Sequence, residues 1–144
     1  MQQVTAIVEN RPGRLVKILQ VLAEHQIDLN GISIAESADF GVFRMILSNP
    51  EQGQAVLKEQ GFIVKVTQVL AIDVHDVPGG LLEALQVLNC QQINVQYMYA
   101  FGSKAKSHAM IILKTDENQS AAALLQSAGI EVLSEEEVEK RLSV

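Results

Sequence analysis

Pro12-Gly13 returns as Pro78-Gly79, 66 positions further along the chain. At that offset Leu15 falls on Leu81, Leu19 on Leu85, Val21-Leu22 on Val87-Leu88 and Ile27 on Ile93. Met45-Ile46-Leu47 falls on Ile111-Ile112-Leu113 without a gap, and Gly61 meets Gly129 after two extra residues near Asp116–Gln119. Chance does not keep apolar positions in step for so long. A sustained internal repeat means two copies of one supersecondary unit, here residues 1–68 and 69–144. Whatever fold the chain adopts must be one that half its length can encode.

Each copy has the same pattern. "QVTAIV" is a β-branched, apolar run and predicts a strand. Pro12 suits the first turn of a helix, where a missing N–H costs nothing. Leu15, Ile18, Leu19 and Leu22 then recur at helical spacing and define one apolar face. "IDLNGISIA" is a second strand whose apolar parity flips at Asn30-Gly31, which predicts a bulge. "FGVFRMILS" is a third strand. Asn49-Pro50 reads as a cap followed by a first-turn proline, and Gly61 as the stop of the helix between them. "FIVKV" closes the unit. The order is βαββαβ, the ferredoxin-like motif, an α+β unit with a four-stranded antiparallel sheet and both helices on one face. In the second copy Leu81, Leu85 and Leu88 stripe the first helix, and Ile93, Val95, Tyr97, Tyr99 and Phe101 alternate along the second strand. A short C-terminal helix follows: Ser134 and Glu137 form a capping box, and Val138 and Leu142 pin it to the body. The junction "FIVKVTQVLAIDVHD" holds no Gly or Pro, so one unit's last strand runs almost directly into the next unit's first. Units this small bury little core alone, and each sheet has a face in need of a partner.

Composition excludes several function classes. The formal charge of −6 opposes phosphate-backbone binding. "DFGVFRM" weakly resembles the aromatic strand motif of RNA-recognition domains, but Phe40 and Phe43 face opposite sides of a regular strand and cannot make one stacking platform. No apolar run approaches the roughly 18 residues of a membrane span, and "MQQVTAIVEN" lacks the basic start and cleavage pattern of a secretory signal. Cys90 is the only cysteine, which fits a reducing cytoplasm; near the end of a helix it reads as an inert residue of the core or its margin. His25, His75 and His108 lie far apart on different elements and have no metal-ligand spacing. No catalytic constellation, metal set or cofactor motif is present, and His75-Asp76, neighbours at a strand end, make a poor dyad.

The strand–Pro-Gly–helix junction is the best remaining site. A first helical turn leaves N–H groups unsatisfied and carries partial positive charge. The donors are Gly13, Arg14 and Leu15 in one copy and Gly79, Gly80 and Leu81 in the other. Glycine lets a ligand approach the backbone, and a small carboxylate fits there. Asn10 and Asp76 stand where a side-chain oxygen meets an ammonium group, and Asp28 and Asn94 match each other at the start of the neighbouring strand. Carboxylate and ammonium together describe a free amino acid. The plainer alternative is that Asn10 and Asp76 only cap the helices.

The stretches "ENRPGRLVKILQVLAEHQIDLNGI" and "HDVPGGLLEALQVLNCQQINVQYM" resemble the ACT domain family of amino-acid-sensing regulatory modules, over nearly the whole chain as two tandem copies. The first is similar to the serine-sensing domain of phosphoglycerate dehydrogenases, the second to the ligand-binding repeat of aspartokinases. The resemblance implies ferredoxin-like domains that pair side by side, within one chain or between chains, with an amino acid at the interface; a homodimer is the expected assembly. The strand–helix loop of one domain and the second strand of its neighbour hold the amino acid. Carried over, the site comprises Asn10, Arg11, Pro12, Gly13, Arg14 and Leu15 with Asp28, and Asp76, Val77, Gly79, Gly80 and Leu81 with Asn94. The dehydrogenase pattern has His where this chain has Val8 and Asn where it has Asp28, so serine specificity does not carry over. The second copy keeps Asp76 and Asn94 and is the better match. Because the two copies and the tail account for all 144 residues, the expectation is a separate cytoplasmic, non-catalytic sensor. It acts on a partner enzyme of amino-acid metabolism, without nucleic acid, membrane or cofactor. The alternatives are a dimerising scaffold whose ligand sites have decayed and, last, a small enzyme or RNA binder.

Overall fold

The computed structural model describes residues 1–101 and 106–143. The chain forms two compact units. One is Gln2–Thr67; the other is Gln68–Val144 together with Met1, whose carbonyl accepts the Val69 N–H at 3.0 Å. The first half runs β1 (Gln2–Glu9), α1 (Arg14–Glu24), β2 (Leu29–Glu36), β3 (Phe40–Leu47), α2 (Pro50–Glu59) and β4 (Ile63–Gln68). The second runs β5 (Leu70–His75), α3 (Gly80–Cys90), β6 (Val95–Phe101), β7 (His108–Thr115), α4 (Asn118–Ser127), β8 (Glu131–Leu133) and α5 (Glu135–Ser143). Each half is βαββαβ, with sheet orders β2-β3-β1-β4 and β6-β7-β5-β8. This is the ferredoxin-like arrangement expected of each copy. Only Val69 separates β4 from β5.

In the first unit alternate residues of β1 and β3 turn to the helices. Val4, Ala6, Val8, Phe43, Met45 and Leu47 share one core with Ile18 and Leu22 of α1 and Val56 and Leu57 of α2. Burying such side chains contributes roughly 1.5–3 kcal/mol each. Parity also separates the phenylalanines, Phe43 at 2% exposure and Phe40 at 52%. In the second unit Ile72, Val74, Ile111 and Leu113 do the same work against Ala84 and Leu88 of α3 and Ala121 and Leu125 of α4.

The local signals hold. The Asn49 side chain accepts the Gln52 N–H at 3.1 Å, with Pro50 opening α2. At its other end Phe62 N–H reaches back to the Leu57 carbonyl and Gly61 N–H to that of Lys58, closing the helix. The ladder of β2 and β3 slips between Leu29 and Gly31, and that of β6 and β7 between Val95 and Tyr97, a bulge at the same place in both copies. The Ser134 N–H donates to Glu137 Oε2 at 2.7 Å and the Glu137 N–H to Ser134 Oγ at 3.3 Å. Val138 is buried and Leu142 half-buried.

Three expectations change. The buried stripe of α1 is Ile18, Val21 and Leu22, with Leu15 at its margin; Leu19 is 44% exposed. The spacing admitted two adjacent faces, and the sheet took the one with Val21. In α3 the buried line is Gly80, Ala84 and Leu88. The helix meets the sheet on small residues and sets Leu81 and Leu85 on its flank. Cys90, two residues beyond Leu88 and so about 200° around the helix, is exposed and not core.

Candidate functional site

Pro12 does not start the helix. It lies in the turn before it, and α1 begins at Arg14 behind Gly13, which takes the left-handed conformation at φ 89°. Gly79 does the same before α3, at φ 87°. An L side chain there costs about 1–2 kcal/mol, so glycine is what lets each strand end bend sharply into its helix. The Gly13 carbonyl then accepts the Lys17 N–H at 3.0 Å, and that of Gly79 the Glu83 N–H at 3.2 Å.

Neither helix is capped by a side chain, so Asn10 and Asp76 are not caps. The Asn10 side-chain amide donates to the Ser37 carbonyl at 3.3 Å, its oxygen has no hydrogen bond among the described residues, and its N–H binds the Asp39 carbonyl at 2.9 Å. The Asp76 N–H is held by the Ser107 carbonyl at 2.9 Å, and its carboxylate is exposed, with no hydrogen bond among the described residues. Two strand ends thus present a polar side chain beside a helix N-terminus that no described side chain caps.

Other candidates are otherwise engaged. Arg11 pairs with Glu9 at 2.5 Å, and the Arg14 guanidinium lies 4.6 Å from the Phe62 ring centroid. Leu15 and Leu81 pack on their cores. Val77 is exposed. Gly80 is not a free donor, since its N–H binds the Val77 carbonyl at 3.0 Å. Nor is there space directly at its Cα: a Cβ would lie 2.0 Å from the His75 carbonyl oxygen.

Asp28 and Asn94 do not join the loop of their own unit. Glu9 pairs with Phe40 at one end of β3, whereas Leu29 pairs with Leu47 at the other. Likewise His75 pairs with His108, and Val95 with Thr115. Six or seven residues of strand, roughly 20 Å, separate the two halves of each candidate site. Asp28 sits instead at Ser48, which donates its N–H to the Asp28 carbonyl and takes the Asp28 N–H on its hydroxyl. Asn94 pairs similarly with Asp116. It also lines an open groove of about 380 Å³ along the outer side of α3, with Leu82, Leu85, Gln86 and Asn89.

One polar cluster has no counterpart in the sequence reading. Strand register sets His75 beside His108, ring centroids 4.8 Å apart. Asp73, two residues earlier on the same face, is buried. Its Oδ1 meets His108 Nδ1 at 2.7 Å, and its Oδ2 pairs with Arg141 of α5. Arg141 also reaches Glu131 Oε2 at 2.7 Å. The available signal was Asp73 itself, a carboxylate in the apolar run "LAIDV", which demands a partner if buried. Among the described residues no three His, Cys, Asp or Glu side chains are grouped to hold a metal, and no helix is long and apolar enough to cross a membrane.

The family model of an ACT domain pair matches residues 1–142. The chain belongs to the ACT domain pair family. No curated protein matches this ACT pair. Among solved structures it is similar to a protein of Bacteroides thetaiotaomicron at 31% identity and a TM-score of 0.90, over 96% of this chain and 95% of that one. The ACT pair also shares its fold with the ligand-free regulatory subunit of aspartate kinase from Thermus thermophilus, at 14% identity and a TM-score of 0.67, over 88% and 91% of the two chains. The corresponding subunit from Thermus flavus gives 14% and 0.61, over 89% and 92%. ACT domains are regulatory modules, and these two neighbours are regulatory subunits by description.

Proposed function

We propose that this ACT pair is a cytoplasmic, non-catalytic sensor. It binds a free amino acid at its strand–Pro-Gly–helix loops and regulates an enzyme of amino-acid metabolism. The observation that carries the reading is the pair of uncapped helix N-termini, each beside an unspent side-chain oxygen, Asn10 or Asp76. The α-carboxylate would meet the amides and the ammonium that oxygen. Because Asp28 and Asn94 lie at the far ends of their own sheets, the loop of one domain needs the second strand of another to complete the grip. Edge strand β2 favours such pairing: Ile32 and Ile34 are each 50% exposed on it. The reading includes a homodimer with one or both loops occupied. Ligand binding that depends on domain pairing would bias the pairing, and a partner enzyme that contacts the paired form would read it.

Thermal unfolding with each of the twenty amino acids tests this. A ligand at about 100 times its Kd adds roughly 2.7 kcal/mol. Asp76→Ala with Asn94→Ala removes any shift due to the second loop; a shift that survives both moves the site elsewhere. If no amino acid raises the midpoint at millimolar concentration, the sensor reading fails and the dimerising scaffold without ligand stands in its place.

A further inference from the structure

The duplication makes the first unit an internal control for the second. Where the first has Arg14 the second has Gly80. The Arg14 guanidinium covers the Phe62 ring, with its Nε buried and without an acceptor. Phe62 follows the left-handed Gly61 as Ile130 follows the left-handed Gly129, so the guanidinium occupies the place over the counterpart of Ile130. In the second unit that place is a cavity of about 190 Å³, lined by Gly80, Gly129 and Ile130. It holds about six waters' volume, the scale of one long side chain.

The walls differ in the complementary sense. Ile7, Lys17 and Ile63 of the first unit correspond to Asp73, Glu83 and Glu131 of the second, and all three acids line the cavity. Among the described residues Arg141, outside the lining, is bound to Asp73 and Glu131 and supplies one positive charge against three negative, and His108 Nδ1 also meets Asp73. The His75 and His108 rings complete the polar wall. The C-terminal turn of α4, at Ala128 and Gly129, adds the negative end of a helix dipole. The positive end of α3 arrives through Gly80, but its amide is already spent on Val77. Glu83 is exposed and has no ion-pair partner among the described residues.

We infer that this cavity binds a small organic cation, a guanidinium or primary ammonium on a short chain, which supplies to the second unit the charged group that Arg14 supplies covalently to the first. The inference stands apart from the loop reading, since the cation needs no α-carboxylate. Calorimetric titration with methylguanidine, and with arginine against its neutral isostere citrulline, tests it. Methylguanidine binds saturably, and arginine binds roughly tenfold or more tighter than citrulline. Glu83→Lys, an exposed change to the first unit's residue, abolishes methylguanidine binding while circular dichroism stays unchanged. Equal affinity for arginine and citrulline, no saturable methylguanidine binding at millimolar concentration, or wild-type affinity in Glu83→Lys would each overturn it. Neutral amino acids that stabilise the protein leave methylguanidine affinity unchanged; displacement would merge the two sites and refute a separate cavity. If arginine alone stabilises the protein and does so only while Glu83 is present, the sensor reading falls while methylguanidine still decides this one.

Discussion

Gly79 and Gly80 are adjacent, yet the structure needs them for different reasons, and the difference is measurable. At Gly79 a Cβ meets nothing within 4 Å, but φ is 87°. Alanine there pays only for its backbone, about 1–2 kcal/mol. At Gly80 the φ is unexceptional, but a Cβ would stand 2.0 Å from the His75 carbonyl oxygen and 3.1 Å from its carbon. The obstacle is the backbone of β5, so no rotamer change relieves it; α3 must lift off the strand end. Overpacking costs about 1–3 kcal/mol where side chains can yield, so a fixed carbonyl puts this site at about 3 or more. Alanine's helical advantage over glycine returns at most about 1 kcal/mol. A net loss of about 2–3 kcal/mol is expected. Tyr97 and Tyr99, both in β6, are the only tyrosines, and the chain has no Trp. Tyrosine fluorescence in a urea titration therefore follows the second unit. Gly80→Ala should lower the midpoint more than Gly79→Ala, and Gly79→Asn should recover part of the latter's loss, since Asn tolerates the left-handed region. A Gly80→Ala midpoint equal to wild type, or above that of Gly79→Ala, would refute the steric account.

The ion pair and the tail give two further tests. Arg141→Ala leaves buried Asp73 with His108 alone and should cost about 2–3 kcal/mol by the same fluorescence titration, because a buried charge loses its partner. The Ser134 backbone hydrogen bond, followed by that from the Ser134 hydroxyl, holds the Glu137 carboxyl below its ordinary value of 4.5. The capping contribution is fully present above pH 4.5 and is lost as pH falls through the lowered value. Far-UV circular dichroism should show helix loss in that acid window, and Glu137→Gln should remove the pH dependence of that step.

Much of the fold was legible because its signals are local. Asn49-Pro50, Gly61, Ser134 with Glu137 and the parity flip at Gly31 each obey rules spanning a few residues, and the repeat checked every element twice. What stayed hidden depends on register or on contact between distant segments. Leu19 and Val21 compete for one helix face, and only the sheet beneath decides. The space at the Gly80 Cα looks open until β5 sets the His75 carbonyl against it. Asp73 and Arg141 lie 68 positions apart, with His108 between them; only the ladder and the docked tail bring them together. For the candidate site, the loops were legible from Pro-Gly and its repeat. That Asp28 and Asn94 sit at the far ends of their own sheets follows from antiparallel pairing, which the sequence does not number.

The bulge in β2 has a mechanical consequence. A bulge breaks the hydrogen-bond ladder and turns the strand, so a strand added along the free edge of β2 cannot pair through Asn30. It must pair from Ile32 toward Glu36, the stretch that carries the exposed isoleucines. The edge offers a short ladder with one fixed starting point, like a keyed socket. For a bare strand whose hazard is pairing in many registers, one misaligned residue limits where a partner can begin.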